Sequence, residues 1–459
     1  MRFAWWLWLG LVACGDNEHP EPQHVTSGSR LRARWQVAGD ARRLIGWHDA
    51  TLDLDCDFGG YIANRDHRCV PPAMGVADGV FSDAACTRPM AVGEPLPYAL
   101  HRPTDSCADA PRVFTPGSAT MQVFELGSGS SGCHAVTETQ PYFPLETELP
   151  VDMFAQAHES FDEPGQMWLV TEDGARVPWG GWDGTRAVEP TQTGGELRWG
   201  PWMVAYSSGA FSDATCTTQV ADKEGDTARC PLDAVLVFPM GGSGVLGVSF
   251  DEIGDEIAPT WVLQDDACVP QPAGGVQAYA IGAPIESSSL ADFTTTFVGT
   301  GPVQVRTGVL DGQLVLQTGP NVQFGGNGPP PPDQLIDRAS GLPCAAQLGS
   351  DGATRCLPLV LGDDLYFLDA ACTQLIAPDY TMTGSASLYA YYQGDGAVHA
   401  RPVLDAVTPV PPSLYYEATV DADTLGACGM IPTDPTQAFV NLGAELPASR
   451  FAPVSIVVD

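Results

Sequence analysis

One seven-residue word occurs three times in this chain of 459 residues. It reads FSDAACT at 81–87, FSDATCT at 211–217 and FLDAACT at 367–373. A word that returns with its cysteine at the same place predicts a fold of repeated units, each stapled by a disulfide. This repeat constrains the architecture more strongly than any other feature of the chain.

The cysteines around the three words extend the repeat. Two precede the first word (Cys56 and Cys69) and two precede the third (Cys344 and Cys356), while the middle word has no such pair. Openings and endings also recur, as in GW at 46–47 and 181–182 and ELP at 148–150 and 445–447. We therefore expect β repeat modules at 28–160 and 297–459, with a degenerate module at 161–296 between them.

Thirteen cysteines occur in the chain, and setting Cys14 aside leaves twelve, an even number suited to six disulfides in an oxidising compartment. No C-x-x-C pair or close histidine spacing favours structural zinc. The simplest pairing that respects the repeat is Cys56–Cys69, Cys86–Cys133, Cys216–Cys268, Cys344–Cys356 and Cys372–Cys428. Cys107 and Cys230 then bond across modules or remain free.

The first 13 residues predict a signal peptide. Arg2 precedes an apolar run that is too short to span a bilayer as a helix. The run ends in Leu-Val-Ala before Cys14, and this word resembles the lipobox of bacterial lipoproteins. The resemblance implies cleavage before Cys14 and acylation of that cysteine, which gives a stable anchor in the lipid bilayer. Residues 14–27 are polar and predict a lipidated tether.

The charge of the chain limits its partners. Lys+Arg number 21 against 56 acidic residues, for a formal net charge of −35. Such a surface repels polyanions, so we expect no nucleic-acid partner. The oligomeric state is not readable from the sequence. Hydrophobic residues make up 44% of the chain, which is enough to build packed cores.

Short β-rich runs punctuated by Gly, Pro, Asp and Asn predict an all-β fold. Examples are 31–37, 112–114, 121–126, 203–206, 234–238, 244–250, 303–309, 313–317, 387–392 and 454–458. We find no sustained helical period. The modules are thus expected to be propeller-like or tandem β-sandwich-like, and the sequence leaves both open.

Two sets of acidic residues are candidates for chemistry. The repeated aspartate of the word (Asp83, Asp213 and Asp369) precedes two small residues, which favours an Asx-turn or cap over a calcium ligand. The cluster Asp53, Asp55 and Asp57 resembles the start of an EF-hand loop, but the position that needs Gly holds Phe58. No cofactor is predicted, and Ca²⁺ at this loop is the alternative.

The remaining motifs give no strong sign of catalysis. The chain contains no G-x-S-x-G, and the serine-rich stretch at 127–132 has the wrong spacing for one. His158-Glu159 lacks the second histidine of a zincin helix. Trp47, Trp179 and Trp182 are expected in the core rather than on a sugar-stacking surface.

The words Arg355-Cys356-Leu357-Pro358, Asp83-Ala84-Ala85-Cys86 and Gly46-Trp47-His48-Asp49 resemble the cysteine-rich repeat lipoproteins of myxobacteria. The resemblance covers nearly the whole mature chain and weakens in the middle module. It implies no catalytic residues. We expect a non-catalytic outer-membrane lipoprotein of a Gram-negative bacterium, facing the periplasm or the surface, that binds a glycan or protein or serves as a structural scaffold. The alternative is a secreted polysaccharide hydrolase that uses two carboxylates.

Overall fold

A computed structural model describes most of the chain from residue 25 onward. The described residues are 25–58, 62–63, 66–101, 111–126, 132–161, 165–193, 196–202, 204–222, 234–237, 249–257, 261–264, 267–270, 278–310, 313–315, 334–358, 365–378, 388–392, 397–407, 413–419, 425–432 and 438–459. They form β-strands, turns and short 3-10 turns, without an α-helix, so the predicted all-β class is confirmed. The signal, residues 14–24 of the predicted tether including Cys14, the serine-rich stretch at 127–131, Cys107 and Cys230 lie outside the described residues. The last three residues expected in the tether belong to the fold, since Thr26 bridges Arg176 and Ser27 accepts a hydrogen bond from the Ala33 backbone N–H.

The strands fall into three stretches of chain. The first contains β1 (Leu31–Ala38), β2 (Ala41–Asp49), β3 (Leu54–Cys56), β4 (Ile62–Ala63), β5 (Asp66–Arg68), β6 (Met74–Phe81), β7 (Pro89–Val92), β8 (Ala99–His101), β9 (Arg112–Pro116), β10 (Thr120–Leu126), β11 (Cys133–Leu149) and β12 (Gln156–Ser160).

The second stretch contains β13 (Gly165–Thr171), β14 (Arg176–Trp182), β15 (Ala187–Thr193), β16 (Glu196–Pro201), β17 (Val204–Phe211), β18 (Gln219–Asp222), β19 (Ala234–Val237), β20 (Ser249–Ile257), β21 (Trp261–Gln264), β22 (Ala267–Pro270), β23 (Ala278–Ile285) and β24 (Ala291–Asp292).

The third stretch contains β25 (Thr294–Val298), β26 (Val303–Leu310), β27 (Gln313–Val315), β28 (Gln334–Asp337), β29 (Leu342–Leu348), β30 (Thr354–Pro358), β31 (Leu365–Phe367), β32 (Leu375–Pro378), β33 (Leu388–Tyr392), β34 (Val398–Ala406), β35 (Ser413–Thr419), β36 (Leu425–Pro432), β37 (Phe439–Leu442) and β38 (Ser455–Val458). The described 3-10 turns are Val151–Met153, Ser287–Ser289 and Ala448–Arg450.

Three sheets, here called the central sheets, are built mainly from consecutive hairpins. The first has the order β3-β2-β1-β38, the second β24-β16-β15-β14-β13-β12-β5-β4, and the third β25-β26-β28-β29-β30 with β27 on β26. Strand pairing crosses the module boundaries expected from the sequence, because β38 pairs with β1 and β12 pairs with β13.

Each central sheet packs against both others. Ala33 and Trp47 of the first sheet share a buried core with Leu169 of the second. The first sheet also packs on the third through a core that contains Ala41 and Val303. A third core contains Val188 and Trp199 of the second sheet together with Leu310 and Val315 of the third. Burial of these faces accounts for the alternation of apolar and polar residues along the strands.

Three further sheets, here called the curled sheets, follow the central hairpins along the chain. Their orders are β10-β11-β7-β6-β8-β9, β18-β23-β20-β19-β17-β21-β22 and β33-β34-β37-β32-β31-β35-β36. Each contains one hairpin whose connection is the repeated seven-residue word: β6–β7, β17–β18 or β31–β32. The repeat seen in the sequence therefore marks the same local hairpin in all three curled sheets.

The chain leaves each curled sheet by the same route. A 3-10 turn is followed by a buried Phe154, Leu290 or Phe451, whose carbonyl oxygen accepts a hydrogen bond from a guanidinium. The donors are Arg68, Arg198 and Arg355, at 3.3, 3.5 and 2.8 Å respectively. The middle copy of the R-C-x-P word is thus Arg198-Trp199-Gly200-Pro201, in which tryptophan stands at the cysteine position.

Two equivalent hairpin turns tie the central sheets together through aspartates. The carboxylate of Asp40, in the first sheet, accepts the backbone N–H of Thr300 (2.6 Å) and its hydroxyl (2.7 Å). Asp173, in the second sheet, accepts the backbone N–H groups of Arg30 (2.5 Å) and Leu31 (3.0 Å). Hydrogen bonds from Thr300 lower the pKa of the Asp40 carboxyl to about 2.

Candidate functional site

The three repeated words form turns with one backbone geometry; residues 81–87, 211–217 and 367–373 are called the signature turns below. Their cysteines, Cys86, Cys216 and Cys372, have positive φ angles of 52°, 50° and 48°. Each cysteine N–H donates to the carbonyl oxygen of the aspartate three residues earlier, at 3.0, 3.2 and 3.0 Å. Left-handed backbone is uncommon outside glycine, so its recurrence at three cysteines indicates a tightly determined loop.

The aspartate side chains hold these turns together. Backbone N–H groups donate to the carboxylates, from Thr87 to Asp83 at 2.8 Å, from Thr218 to Asp213 at 2.6 Å and from Gln374 to Asp369 at 2.5 Å. Hydrogen bonds lower the pKa of all three carboxyls, chiefly from the Thr87 hydroxyl, the Thr215 hydroxyl and the Gln374 backbone N–H respectively. The Asx-turn interpretation of the repeated aspartate is thus confirmed.

Disulfides close the same turns on the far side. The described residues contain five: Cys56–Cys69, Cys86–Cys133, Cys216–Cys268, Cys344–Cys356 and Cys372–Cys428. They are the five pairs that the repeat predicts. Three of them join a signature turn to a strand 47, 52 or 56 residues later. Each turn is therefore fixed at its base by a carboxylate and at its cysteine by a covalent bond.

The tips of the signature turns are exposed although their bases are locked. Ala84, Ala214 and Ala370 follow the aspartate in each copy and are exposed, as are the residues just beyond the cysteine. The threonine that follows each cysteine is the same in all copies, whereas the next position, just past each turn, differs: it is Arg88, Thr218 or Gln374. The molecule therefore presents three rigid loops of one shape and different side chains, an arrangement that suits recognition.

Two aspartates of the acidic cluster at 53–57 contact neighbouring arginine and histidine side chains. Asp55 lies 2.9 Å from Arg34 and 3.2 Å from Nδ1 of His48, and Asp53 lies 3.5 Å from Nε2 of the same histidine. Among the described residues, no three His, Cys, Asp or Glu side chains are grouped in a way that could hold a metal ion. Within this cluster Asp55 pairs with the Arg34 guanidinium, and Asp53 and Asp55 both contact the His48 ring.

The tryptophans pack largely as expected. Trp47 and Trp179 are buried in the core between the first two central sheets. Trp182 is partly buried and packs on Phe161, with ring centroids 4.2 Å apart. Trp199, which the sequence analysis did not single out, is buried too, and its Nε1–H donates to the carbonyl oxygen of Val309 at 2.9 Å. The core role expected for Trp47 and Trp179 is confirmed.

An open groove of about 530 Å³ lies on the second central sheet. It is lined by His158, Glu159, Ser160, Val170, Thr171, Glu172 and Arg176. The Glu159 side chain is only 7% exposed and bonds to Nε2 of the buried His67 at 3.0 Å. Glu159 is therefore held in a buried pair, whereas Glu172 is exposed, and the groove does not offer two equally accessible facing acids.

Within the described parts of the chain, no helix has the length and hydropathy needed to cross a bilayer. Comparison with known proteins finds no match: no family model, no curated protein and no solved structure matches this chain. Any statement about its function therefore rests on the sequence and on the geometry above.

Proposed function

We propose that the chain is a non-catalytic, membrane-anchored envelope lipoprotein that recognises a ligand through its three signature turns. One observation carries the proposal. Each turn presents an exposed tip while an aspartate network and a disulfide hold its base. Loops held rigid before binding lose little conformational entropy when they meet a partner, which favours affinity.

The anchor is Cys14, at the end of the lipobox. Gly15 follows it, so the aspartate that retains some lipoproteins at the inner membrane is absent, and we place the protein at the outer membrane. Two or three acyl chains provide stable attachment where one chain is marginal. Mass spectrometry of the N-terminal peptide tests this step: we expect diacylglyceryl on Cys14, and Cys14→Ala releases the protein from the membrane fraction.

The ligand class follows from charge and surface chemistry. With a net charge of −35, the protein repels nucleic acid and other polyanions. The turn tips and the positions just past them carry alanine, threonine, one arginine and one glutamine, which suit contact with a neutral glycan or with a protein surface. Because there are three turns, weak single contacts can add to a useful avidity if the ligand presents repeated epitopes.

The recognition step is tested with three substitutions at equivalent exposed positions: Ala84→Arg, Ala214→Arg and Ala370→Arg. These add bulk and charge without touching the aspartates or cysteines that hold the turns. Binding of the purified protein to arrayed envelope polysaccharides and to surface proteins of neighbouring cells is measured for both forms. We expect the wild type to bind one class and the triple variant to lose at least tenfold in affinity.

A matched control places arginine at three exposed positions outside the turns: Ala119→Arg, Ala283→Arg and Ser350→Arg. It should bind like the wild type, because the added charge is the same and the turns are intact. The proposal fails if both triple variants weaken binding equally. It also fails if the wild type releases reducing sugar ends from a polysaccharide and Glu172→Gln stops that release, which would establish a hydrolase.

A further inference from the structure

Beside each signature turn, a row of three residues crosses three neighbouring strands. The row begins at the phenylalanine that opens the turn, continues to an aromatic residue directly opposite it on the next strand, and ends at the residue opposite that one. Residues directly opposite each other share one face of a sheet, so each row lies on a single face. The three rows, called the aromatic rows below, are Phe81–Phe124–Ala135, Phe211–Trp261–Pro270 and Phe367–Tyr415–Met430.

The aromatic rows run outward from the turns to the surface. Phe124 and Trp261, the middle residues of the first two rows, are half-buried. The end residues of all three rows are exposed: Ala135, Pro270 and Met430. Neighbouring apolar side chains at the surface offer contact area to a partner.

The buried cores of these hairpins lie on the other face of the same strands. Val123 is fully buried in one core, and Val262 packs against another. Successive residues of a strand point to opposite faces, so the adjacent Phe124 and Trp261 point away from those cores. Packing in these cores therefore does not account for the two aromatic rings.

The disulfide of each signature turn ties the turn to its row. Cys268, the partner of Cys216, lies opposite Leu263, which is two residues after Trp261. The first and third copies have the same relation. Leu263 shares a face with Trp261 and is 52% exposed, so it extends the apolar surface of its row. Turn and row are therefore one covalently fixed unit that is in place before a ligand arrives.

The composition of the rows selects a class of ligand. The middle position is phenylalanine, tryptophan or tyrosine, so size and polarity change while an aromatic ring is kept. None of the row residues is charged. A pyranose presents a face of C–H groups that stacks on the electron-rich face of an aromatic ring, with its hydroxyls at the rim. A neutral sugar therefore fits this surface, whereas an anionic one is repelled by the net charge of −35.

The end of each signature turn supplies polar groups to go with the row. A threonine follows the cysteine in every copy and is exposed: Thr87, Thr217 and Thr373. Threonine hydroxyls both donate and accept hydrogen bonds, as sugar hydroxyls do. A turn and its row together thus offer an apolar face and hydroxyl partners, which match the two kinds of surface on a sugar ring.

We propose that each signature turn and its aromatic row form one subsite for a neutral polysaccharide. The middle aromatic ring stacks on the C–H face of a sugar unit, and the turn threonine bonds to its hydroxyls. Three subsites of one design fit a polymer that repeats one unit, and binding at several of them adds avidity. This inference rests on the proposed recognition by the signature turns, and it narrows the ligand from glycan or protein to glycan.

The test uses the full mature chain with Cys14→Ser, oxidised but not acylated. Its affinity is measured by electrophoresis through gels that contain amylose, galactomannan or xyloglucan, with the polyanion alginate in a separate gel. We expect retardation by at least one neutral polymer and none by alginate. The variant Phe124→Leu, Trp261→Leu and Tyr415→Leu keeps apolar side chains but removes the rings. Its affinity for the retarding polymer should fall by about tenfold, because interface aromatics carry a large share of binding energy.

The matched control removes three aromatic rings outside the rows: Phe161→Leu, Trp182→Leu and Phe297→Leu. Phe161 and Trp182 are partly buried, and Phe297 is 53% exposed. This control should bind like the parent. A further variant keeps a ring in each row, with Phe124→Tyr, Trp261→Phe and Tyr415→Phe. It should retain most of the affinity that the leucine variant loses, because the stacking surface is present.

Fluorine NMR of the unsubstituted chain, grown with 5-fluorotryptophan, gives a readout that does not depend on folding of a variant. The resonances of Trp261 and Trp47 are assigned as those that Trp261→Phe and Trp47→Phe remove. We expect fragments of the retarding polymer to shift the Trp261 resonance. The resonance of Trp47, which is buried in a central core, should stay in place.

Three outcomes overturn the inference: no retardation by any of the neutral polymers, equal losses in the row variant and its control, or a Trp261 resonance that the fragments leave unmoved. A different result separates it from the proposed function. If the chain binds a surface protein, and the arginine substitutions at Ala84, Ala214 and Ala370 abolish that binding while the row variant keeps it, the signature turns recognise a ligand and only the glycan assignment is wrong.

Discussion

The regions that precede the first and third signature turns differ from the region that precedes the middle one in how two paired strands are held together. In the third central sheet, Cys356 lies opposite Ala346, and the disulfide runs to Cys344, two residues before that partner. In the second, Trp199 lies opposite Pro190, and Val188 is two residues before that partner. Val188 and Trp199 are both buried in one core, with Trp199 only 1% exposed.

The disulfide Cys56–Cys69 repeats the relation of Cys344–Cys356. Asp57 forms an antiparallel bridge with Val70, so the same register places Cys69 opposite Phe58. Cys69 is disulfide-bonded to Cys56, which lies two residues before Phe58. The same diagonal pair of positions on two neighbouring strands is therefore joined by a disulfide in two cases, Cys56–Cys69 and Cys344–Cys356, and by packing of Val188 with the Trp199 indole in the third. A covalent link limits the unfolded chain, whereas a buried indole adds apolar contact in the folded state. The disulfide and the buried indole therefore hold equivalent pairs of strands, the first by restricting the unfolded chain and the second by apolar packing.

The largest effect that would break this comparison is expected from Trp199→Ala. The substitution empties the space between the second and third central sheets, and large-to-small changes of a buried tryptophan cost about 3–5 kcal/mol. Urea or thermal unfolding measures the loss. Trp182→Ala is the control at a partly buried tryptophan and should cost less; equal losses would show that Trp199 holds no special position.

Removal of one short disulfide should have a somewhat smaller effect. For Cys344→Ala with Cys356→Ala, the loop of 12 residues predicts a loss of about 3 kcal/mol in the free energy of unfolding. The matched variant, Cys56→Ala with Cys69→Ala, removes the disulfide that closes a loop of 13 residues. Its free energy of unfolding should fall by a similar amount. A loss below 1 kcal/mol in both would mean that apolar packing alone already holds this diagonal.

Replacing the packed pair Val188 and Trp199 by two cysteines tests whether the middle position can hold a disulfide as its two counterparts do. We expect Val188→Cys with Trp199→Cys to form a disulfide, because the two positions have the register of Cys344 and Cys356. Peptide mapping without reduction detects it. Compared with Val188→Ser and Trp199→Ser, which cannot crosslink, the cysteine form should be more stable by about 2 kcal/mol. Free thiols at both positions would show that the strands differ in geometry.

The smallest effect is expected from Asp40→Asn. It tests whether the hydrogen bonds from Thr300 to the ionised Asp40 carboxylate also hold the first and third central sheets together. Folding lowers the pKa of Asp40 from 3.8 to about 2, so ionised Asp40 adds stability above pH 4. This contribution is lost as the pH falls from about 4 to about 2. The difference in melting temperature between wild type and variant should therefore shrink over that range. Exposed Glu172→Gln is the control, and a pH-independent difference for Asp40→Asn would contradict the expectation.

Part of the strand content could be predicted from local pattern. All ten β-rich runs overlap observed strands, from β1 at the first run to β38 at the last. The runs overlap only ten of the 38 named strands, and the longest strand that they miss is β11 (Cys133–Leu149), with 17 residues. It contains Pro141 and Pro144, and it changes partners along its length, from β10 to β7 and β9. Because β11 pairs with different strands along its length, its side chains do not follow one alternation of buried and exposed positions that a sequence pattern could reveal.

The candidate site was predictable only in part. The repeated aspartate and cysteine predicted a turn closed by a disulfide. An Asx-turn depends only on neighbouring residues, and the repeat showed which later cysteine corresponds in each copy. The match between Arg198-Trp199-Gly200-Pro201 and its two cysteine-bearing counterparts was missed, because the recurring cysteine was the visible marker and tryptophan replaced it. The only signal was the Arg and Pro that frame each copy.

The amino-acid order alone determined the all-β class, the three signature turns and the five disulfide partners, because these depend on local backbone preference and on repeated spacing. Only the tertiary structure decided that three central sheets pack on one another, that β38 joins β1 and that Trp199 occupies a disulfide position. Those features depend on which distant surfaces bury apolar area together, and long-range burial leaves no fixed spacing along the chain.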